Sequence, residues 1–184
     1  MAKDDLEAYR TFARPYFAGE DVAHDFAHID RMLGRIDALA AGFEPPPRRE
    51  VLFFLVCFHG LGGKVASDAT FRPAVEEFLK GLGWANEEME DLFLGMIRHL
   101  TNPGTTEERI VHDANYLEIL GAFGVAKAFT VGGARGQTYS ETVDIYEKEY
   151  LDGVEFRTPA GRRLAVEGRD YARAFLSRLK QELG

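Results

Sequence analysis

The sequence predicts an all-α fold, and three observations carry that reading. Apolar residues recur at three- and four-residue intervals in most segments. Helix-capping signatures stand ahead of several of those segments. No stretch alternates apolar and polar residues over the length of a strand. With 184 residues and no repeat, low-complexity tract or linker-like segment, residues 1–184 read as one domain.

The elements follow in order. Leu6, Tyr9, Phe12 and Tyr16 form a first apolar stripe, and Ile29, Leu33, Ile36 and Ala40 a second. Gly42 and the prolines at 45–47 stop the second helix. Residues 49–59 are nearly all apolar, which predicts a central helix rather than a peripheral one. The segment "SDATFRP" opens a helix over 71–82, and Asn86 is the predicted N-cap of another over 87–100. Thr105 with Glu108, and Thr138 with Glu141, are S/T-x-x-E capping boxes. Thr158 and Pro159 supply an N-cap and a first-turn proline for a last helix ending near Leu183.

Composition narrows the function classes. A net charge of −8 argues against binding a nucleic acid polymer, which needs basic clusters, but leaves room for a small phosphorylated ligand. The longest purely apolar run, 51–58, is far short of the ~20 residues that span a bilayer, so no membrane partner is expected. "MAKDDLEAYR" has no apolar core of a signal peptide. Cys57 is the only cysteine, which excludes an intramolecular disulfide and a cysteine-based zinc cluster. A reducing cytoplasm is the expected location.

The chemistry rests on histidines and one aspartate. His24 and His28 stand four apart and share a face if helical. Asp113, Leu117 and Leu120 fall at i, i+4 and i+7, which places a carboxylate on a buried stripe. A buried carboxylate costs several kcal/mol unless compensated, so Asp113 requires a cation, a metal or several donors. "GLGGK" lacks the first glycine and the Ser/Thr of a Walker loop, and "GAFGVA" follows no strand. Neither G-x-S-x-G nor H-E-x-x-H is present, and neither Ser67 nor Cys57 has a nucleophile's local signature.

Together "HDFAHIDRM" (24–32), "VLFFLVCFHGLG" (51–62), "MIRHL" (96–100) and "ERIVHDANYLEILGAFGVAKAF" (108–129) resemble the HD-domain phosphohydrolase superfamily. The match is with its small, single-domain bacterial branch, and "VGGARG" (131–136) and residues 156–183 extend it. The resemblance implies an all-helical HD-domain-like bundle and metal-dependent hydrolysis of a small phosphorylated metabolite or nucleotide. By position it implies one divalent metal ion (Mn, Mg, Ni, Co or Fe) held by His28, His59 and Asp113. It places His24 and His99 in the pocket as hydrogen-bonding or proton-transfer groups. Arg31, Lys64, Arg98 and Arg135 lie near the motifs in sequence and are candidate phosphate ligands.

Where the family has an aspartate after its second histidine, this chain has Gly60, and Asn115 and Glu118 stand where aspartates are common. Three readings follow. The protein is a hydrolase with three ligands and an open position; or a degenerate binding or regulatory module; or a non-haem iron oxygenase using two histidines and one carboxylate.

Overall fold

The structure is a computed structural model that describes residues 2–18 and 26–184. Helix is its regular structure, and no strand occurs among the described residues. The chain groups into two compact units, Met1–His112 and Asp113–Gly184.

The first unit contains α1 (Leu6–Ala13), α2 (Phe26–Ala40), α3 (Arg49–Cys57), the single turn α4 (Lys64–Ser67), α5 (Phe71–Gly81) and α6 (Asn86–Arg98). The following helix, α7 (Thr106–Tyr116), contains the boundary between the units. The apolar run behaves as its composition dictates. Every residue from Leu52 to His59 is buried, and α1, α2 and α6 pack on α3. Each Leu or Phe so buried contributes roughly 1.5–3 kcal/mol of apolar transfer. Beside it Phe12 stacks on Phe78 at 4.2 Å, and Phe54 on Phe58 at 4.6 Å. Trp84 Nε1 donates to the Tyr9 hydroxyl (2.8 Å), which donates to the Lys3 carbonyl (2.9 Å), so the buried polar tips are satisfied.

The end of α3 and the start of α6 differ from the sequence expectation. α3 stops at Cys57, two residues before the predicted end. Tighter i→i+3 bonds then follow, from His59 N–H to the Val56 carbonyl and from Leu61 N–H to the Phe58 carbonyl (3.1 Å each). Gly60 sits at φ +83°, the left-handed region that a residue with Cβ rarely adopts. His59 therefore occupies the turn after the helix. At α6 the N-cap position is Ala85, not Asn86, which is the first helical residue. The Glu88 carboxylate accepts from Ala85 N–H (3.1 Å), so the helix start is capped from its third position.

The second unit holds the end of α7, a 3₁₀ turn (Leu117–Ile119), α8 (Gly121–Ala134), α9 (Tyr139–Ile145), a π-helical segment (Tyr146–Leu151) and the long α10 (Pro159–Leu183). α8 packs on α10. The Thr138 box is complete: Glu141 N–H donates to Thr138 Oγ1 (3.2 Å), and Thr138 N–H donates back to the Glu141 carboxylate (2.8 Å). Thr158 caps α10 by accepting from Gly161 N–H (2.8 Å). Among the described residues no single helix is long and apolar enough to cross a membrane.

Candidate functional site: a buried imidazole cluster

Three of the sequence-derived candidates meet in the first unit. His28 is on the buried face of α2, His59 is in the turn after α3, and His99 is the C-cap of α6. All three are at most 5% exposed. The His28 and His59 rings lie 5.1 Å apart, edge to face, and the His59 and His99 rings are also 5.1 Å apart.

The protons in this cluster follow from the network. His99 Nδ1 lies 3.0 Å from the Gly95 carbonyl oxygen, which only accepts, so Nδ1 carries the proton. Burial lowers the His99 pKa below its ordinary value, helped by neighbouring His112 and opposed by its bonds to the α6 backbone, so the ring is neutral at pH 7. A neutral ring protonated on Nδ1 has its lone pair on Nε2. His59 Nδ1, 2.9 Å from that nitrogen, must then donate. A neutral His59 is thus fixed with its own lone pair on Nε2. The chain Gly95 carbonyl–His99–His59 is directional.

Asp113 begins the second unit, fully buried at 0% exposure. Of the three compensations open to it, the structure supplies several donors. Its Oδ1 accepts from Arg157 N–H (2.8 Å), and its Oδ2 from Thr158 N–H and Thr158 Oγ1–H (2.7 Å each). The approach is so close that a Cβ on Gly161 would fall 2.1 Å from Oδ2. The glycine in "TPAG" makes room for the carboxylate at the start of α10.

Arg98 reaches Glu108, ten residues on. Its Nε and Nη2 donate to the two carboxylate oxygens at 2.9 Å each, a bidentate pair, and Gly104 N–H adds a third donor at 2.6 Å. Burial acts to raise the Glu108 carboxyl, but the Arg98 and Gly104 donors outweigh it and hold it below the usual range. Only half of the predicted Thr105 box forms, with Glu108 N–H on Thr105 Oγ1 (3.2 Å), because Arg98 and Gly104 occupy the carboxylate. Arg31 is half-buried on α2, and Lys64 opens α4. Arg135 is exposed at the end of α8 in the second unit. His24 lies outside the described residues. Cys57 is buried, which pushes its thiol up to about 12 and leaves no thiolate for nucleophilic attack.

The described residues do not gather a ligand set for the divalent ion that the resemblance implies. Among the described residues no three His, Cys, Asp or Glu side chains gather closely enough to hold an ion. Both oxygens of Asp113 already accept hydrogen bonds, and Gly60 supplies no side-chain oxygen. The arrangement suits acid–base and hydrogen-bonding chemistry at imidazole.

Two participants escaped the sequence reading. His112, 4% exposed, acts electrostatically on His99, and Glu108 is a second buried carboxylate. The signal for Glu108 was its spacing, three residues before Val111 and four before His112, which puts it on one face with them.

No protein-family model and no curated protein sequence matches the chain. Solved structures do. An HD-superfamily hydrolase from Bacillus thuringiensis superposes with a TM-score of 0.78 at 20% identity, over 98% of this chain and 97% of its own. The chain has an HD-like fold. Bacillus subtilis YpgQ, solved in complex with ADP, gives 0.74 at 22% identity over 97% of each chain. A predicted HD superfamily hydrolase from an uncultured Thermotogales bacterium gives 0.66 at 18% identity, over 97% of this chain and 93% of its own. The all-helical fold that the capping and periodicity predict, and the HD-like form that the resemblance implies, thus both hold, and the histidine cluster lies in the first unit.

Proposed function

We propose that this HD-like protein hydrolyses a small phosphorylated metabolite or nucleotide, with His59 as the general base. The observation that carries the reading is the directional chain from the Gly95 carbonyl through His99 to His59. A side chain that merely fills a core needs no fixed tautomer. A base that removes a proton from water does, because its lone pair must be on the accepting nitrogen before reaction. His59 Nε2 takes the proton, and His99 Nε2 holds the resulting imidazolium through the Nδ1–H bond. His99 acts through His59 and is a positioning residue. The phosphorylated substrate class is supported by the HD-superfamily hydrolases of the same fold and by YpgQ with its ADP.

The test is phosphate release from ADP and from p-nitrophenyl phosphate, with chelator and with added Mn²⁺. The expected outcome is turnover that survives chelator and falls about 10²–10⁴-fold in His59→Ala, the usual range for loss of a general base. A second reading, a binding module without hydrolysis, is favoured by Asp113, whose carboxylate is given over to the start of α10. ADP binding without phosphate release in any condition would establish that reading. Turnover that appears only with Mn²⁺ would restore a metal centre.

A further inference from the structure

A concavity of about 540 Å³ lies wholly in the second unit, between the 151–156 segment and α10. Arg162, Arg169 and Arg173 line it. They stand at i, i+7 and i+11, which rotates all three to within about 20° of one line along the helix. We propose that this concavity is an anion site for a small diphosphate-bearing molecule, separate from the imidazole cluster. The proposal goes beyond the hydrolase reading and does not depend on it.

Charge is the first argument. In a chain of net charge −8, two of these three guanidinium groups have no carboxylate within ion-pair distance among the described residues. Arg162 reaches only the Phe156 carbonyl, at 3.3 Å, and Arg169 only the Val154 carbonyl. Arg169 Nε is buried and has no hydrogen-bond partner, so its charge is poorly compensated. Two acids also line the space. Glu155 is paired with Arg157 at 2.6 Å, and Asp152 meets Arg173 at 3.0 Å. That second pair is more than half exposed on both sides, so an incoming anion can displace it at little cost.

Preorganisation is the second argument. Arg169 lies over the buried Phe156 ring, 5.3 Å from its centroid, and its Nη2 is tied to the Val154 carbonyl. A guanidinium already stacked and anchored loses little freedom when an anion arrives. Arg169 and Arg173 are one helical turn apart, the spacing for one phosphate between two guanidinium groups. Arg162 lies about 10 Å along the axis from Arg169, within side-chain reach of a second. The overall negative charge works against long polyanions such as nucleic acid, so the fitting ligand is compact and doubly phosphorylated.

Methylenediphosphonate, which is not hydrolysed, is the probe, titrated calorimetrically into the full-length chain at low and high salt. The expected result is one saturable site whose affinity falls with salt and falls about tenfold in Arg162→Ala and in Arg173→Ala. Asp152→Asn should tighten it several-fold, because the change removes a lining charge and releases Arg173. Asp152 is exposed, so this variant tests the site without risk to the fold. His59→Ala should leave binding unchanged. Absence of saturable binding overturns the proposal, as does binding that Asp152→Asn and the arginine variants do not move. Binding lost in His59→Ala and retained in the arginine variants assigns the anion to the imidazole cluster and also overturns it.

Discussion

Asp113 and His59 are both buried polar side chains near helix ends, and their surroundings differ in kind. Asp113 is surrounded by donors: two backbone N–H groups and a hydroxyl converge on its two oxygens where α10 starts. His59 belongs to a chain with a direction, anchored at the Gly95 carbonyl and running through His99. The first arrangement joins two parts of the second unit and fixes the entry of a 25-residue helix. The second holds an imidazole in one tautomer. Burial of a polar residue therefore does not by itself mark chemistry; the pattern of donors around it does.

The largest effect belongs to the saturated carboxylate. Asp113→Ala strands three donors in a dry site, and a stability loss of about 3–5 kcal/mol in urea denaturation is expected. Asp113→Asn keeps the shape but points an NH₂ at a donor, and about 2 kcal/mol is expected. A loss below about 1 kcal/mol for the alanine variant would show that the carboxylate does not hold α10.

Arg98 and Glu108 sharpen the contrast, since they form a satisfied carboxylate site within the first unit. The Glu108 carboxyl is lowered in the folded state. Its contribution is therefore complete above the unfolded value near 4.3 and is lost as pH falls through the folded one. Glu108→Gln should cost about 2 kcal/mol at pH 7, in the range for hydrogen bonds to a charged group. The gap between wild type and variant should close below about pH 4. A gap independent of pH would mean that packing, not charge, supplies the effect.

Breaking the directional chain tests the other side. His99→Leu removes the acceptor for His59 Nδ1–H and should lower turnover by about 10–100-fold, the range for loss of such a supporting group. His99→Gln, which restores an acceptor near Nε2, should recover part of it. The ¹⁵N shifts of His59 report whether its Nδ1 proton is still held. Equal rates in the two variants, with that tautomer unchanged, would make His99 a core residue.

The sequence made some of this legible and hid the rest for physical reasons. Helices announced themselves because periodicity and caps are local: Thr138 with Glu141 and Thr158 with Pro159 act where they were read. That Asp113 needed compensation was legible from its place on an apolar stripe. That the compensation comes from Arg157 and Thr158, more than forty residues on, was not, because pairing across the chain leaves no local mark. Arg98 looked available for phosphate because its partner Glu108 lies across a loop. The clustering of His28, His59 and His99 followed from the family resemblance. Neither the tautomer chain nor the role of His112 could be read without coordinates.

Gly60 gives the smallest expected effect and the finest discrimination. Its φ of +83° supplies a backbone reason for glycine at this position, independent of any lost carboxylate. A Cβ built there meets nothing within 4 Å, so substitution costs backbone strain and no clash. Gly60→Ala should lose about 1 kcal/mol, and Gly60→Asp slightly less, since aspartate enters the left-handed region more readily. The difference between the two variants isolates the carboxylate from the strain. With His59 acting as a base through His99, the aspartate should leave Mn²⁺ affinity and phosphate release as they are in Gly60→Ala. An aspartate variant that binds Mn²⁺ more tightly than both wild type and Gly60→Ala, and releases phosphate faster, would instead show that the imidazoles are a metal shell waiting for one more oxygen. Calorimetric Mn²⁺ titration, a phosphate-release assay and a melting curve on the two variants decide between a turn that requires glycine and a site that lost its acid.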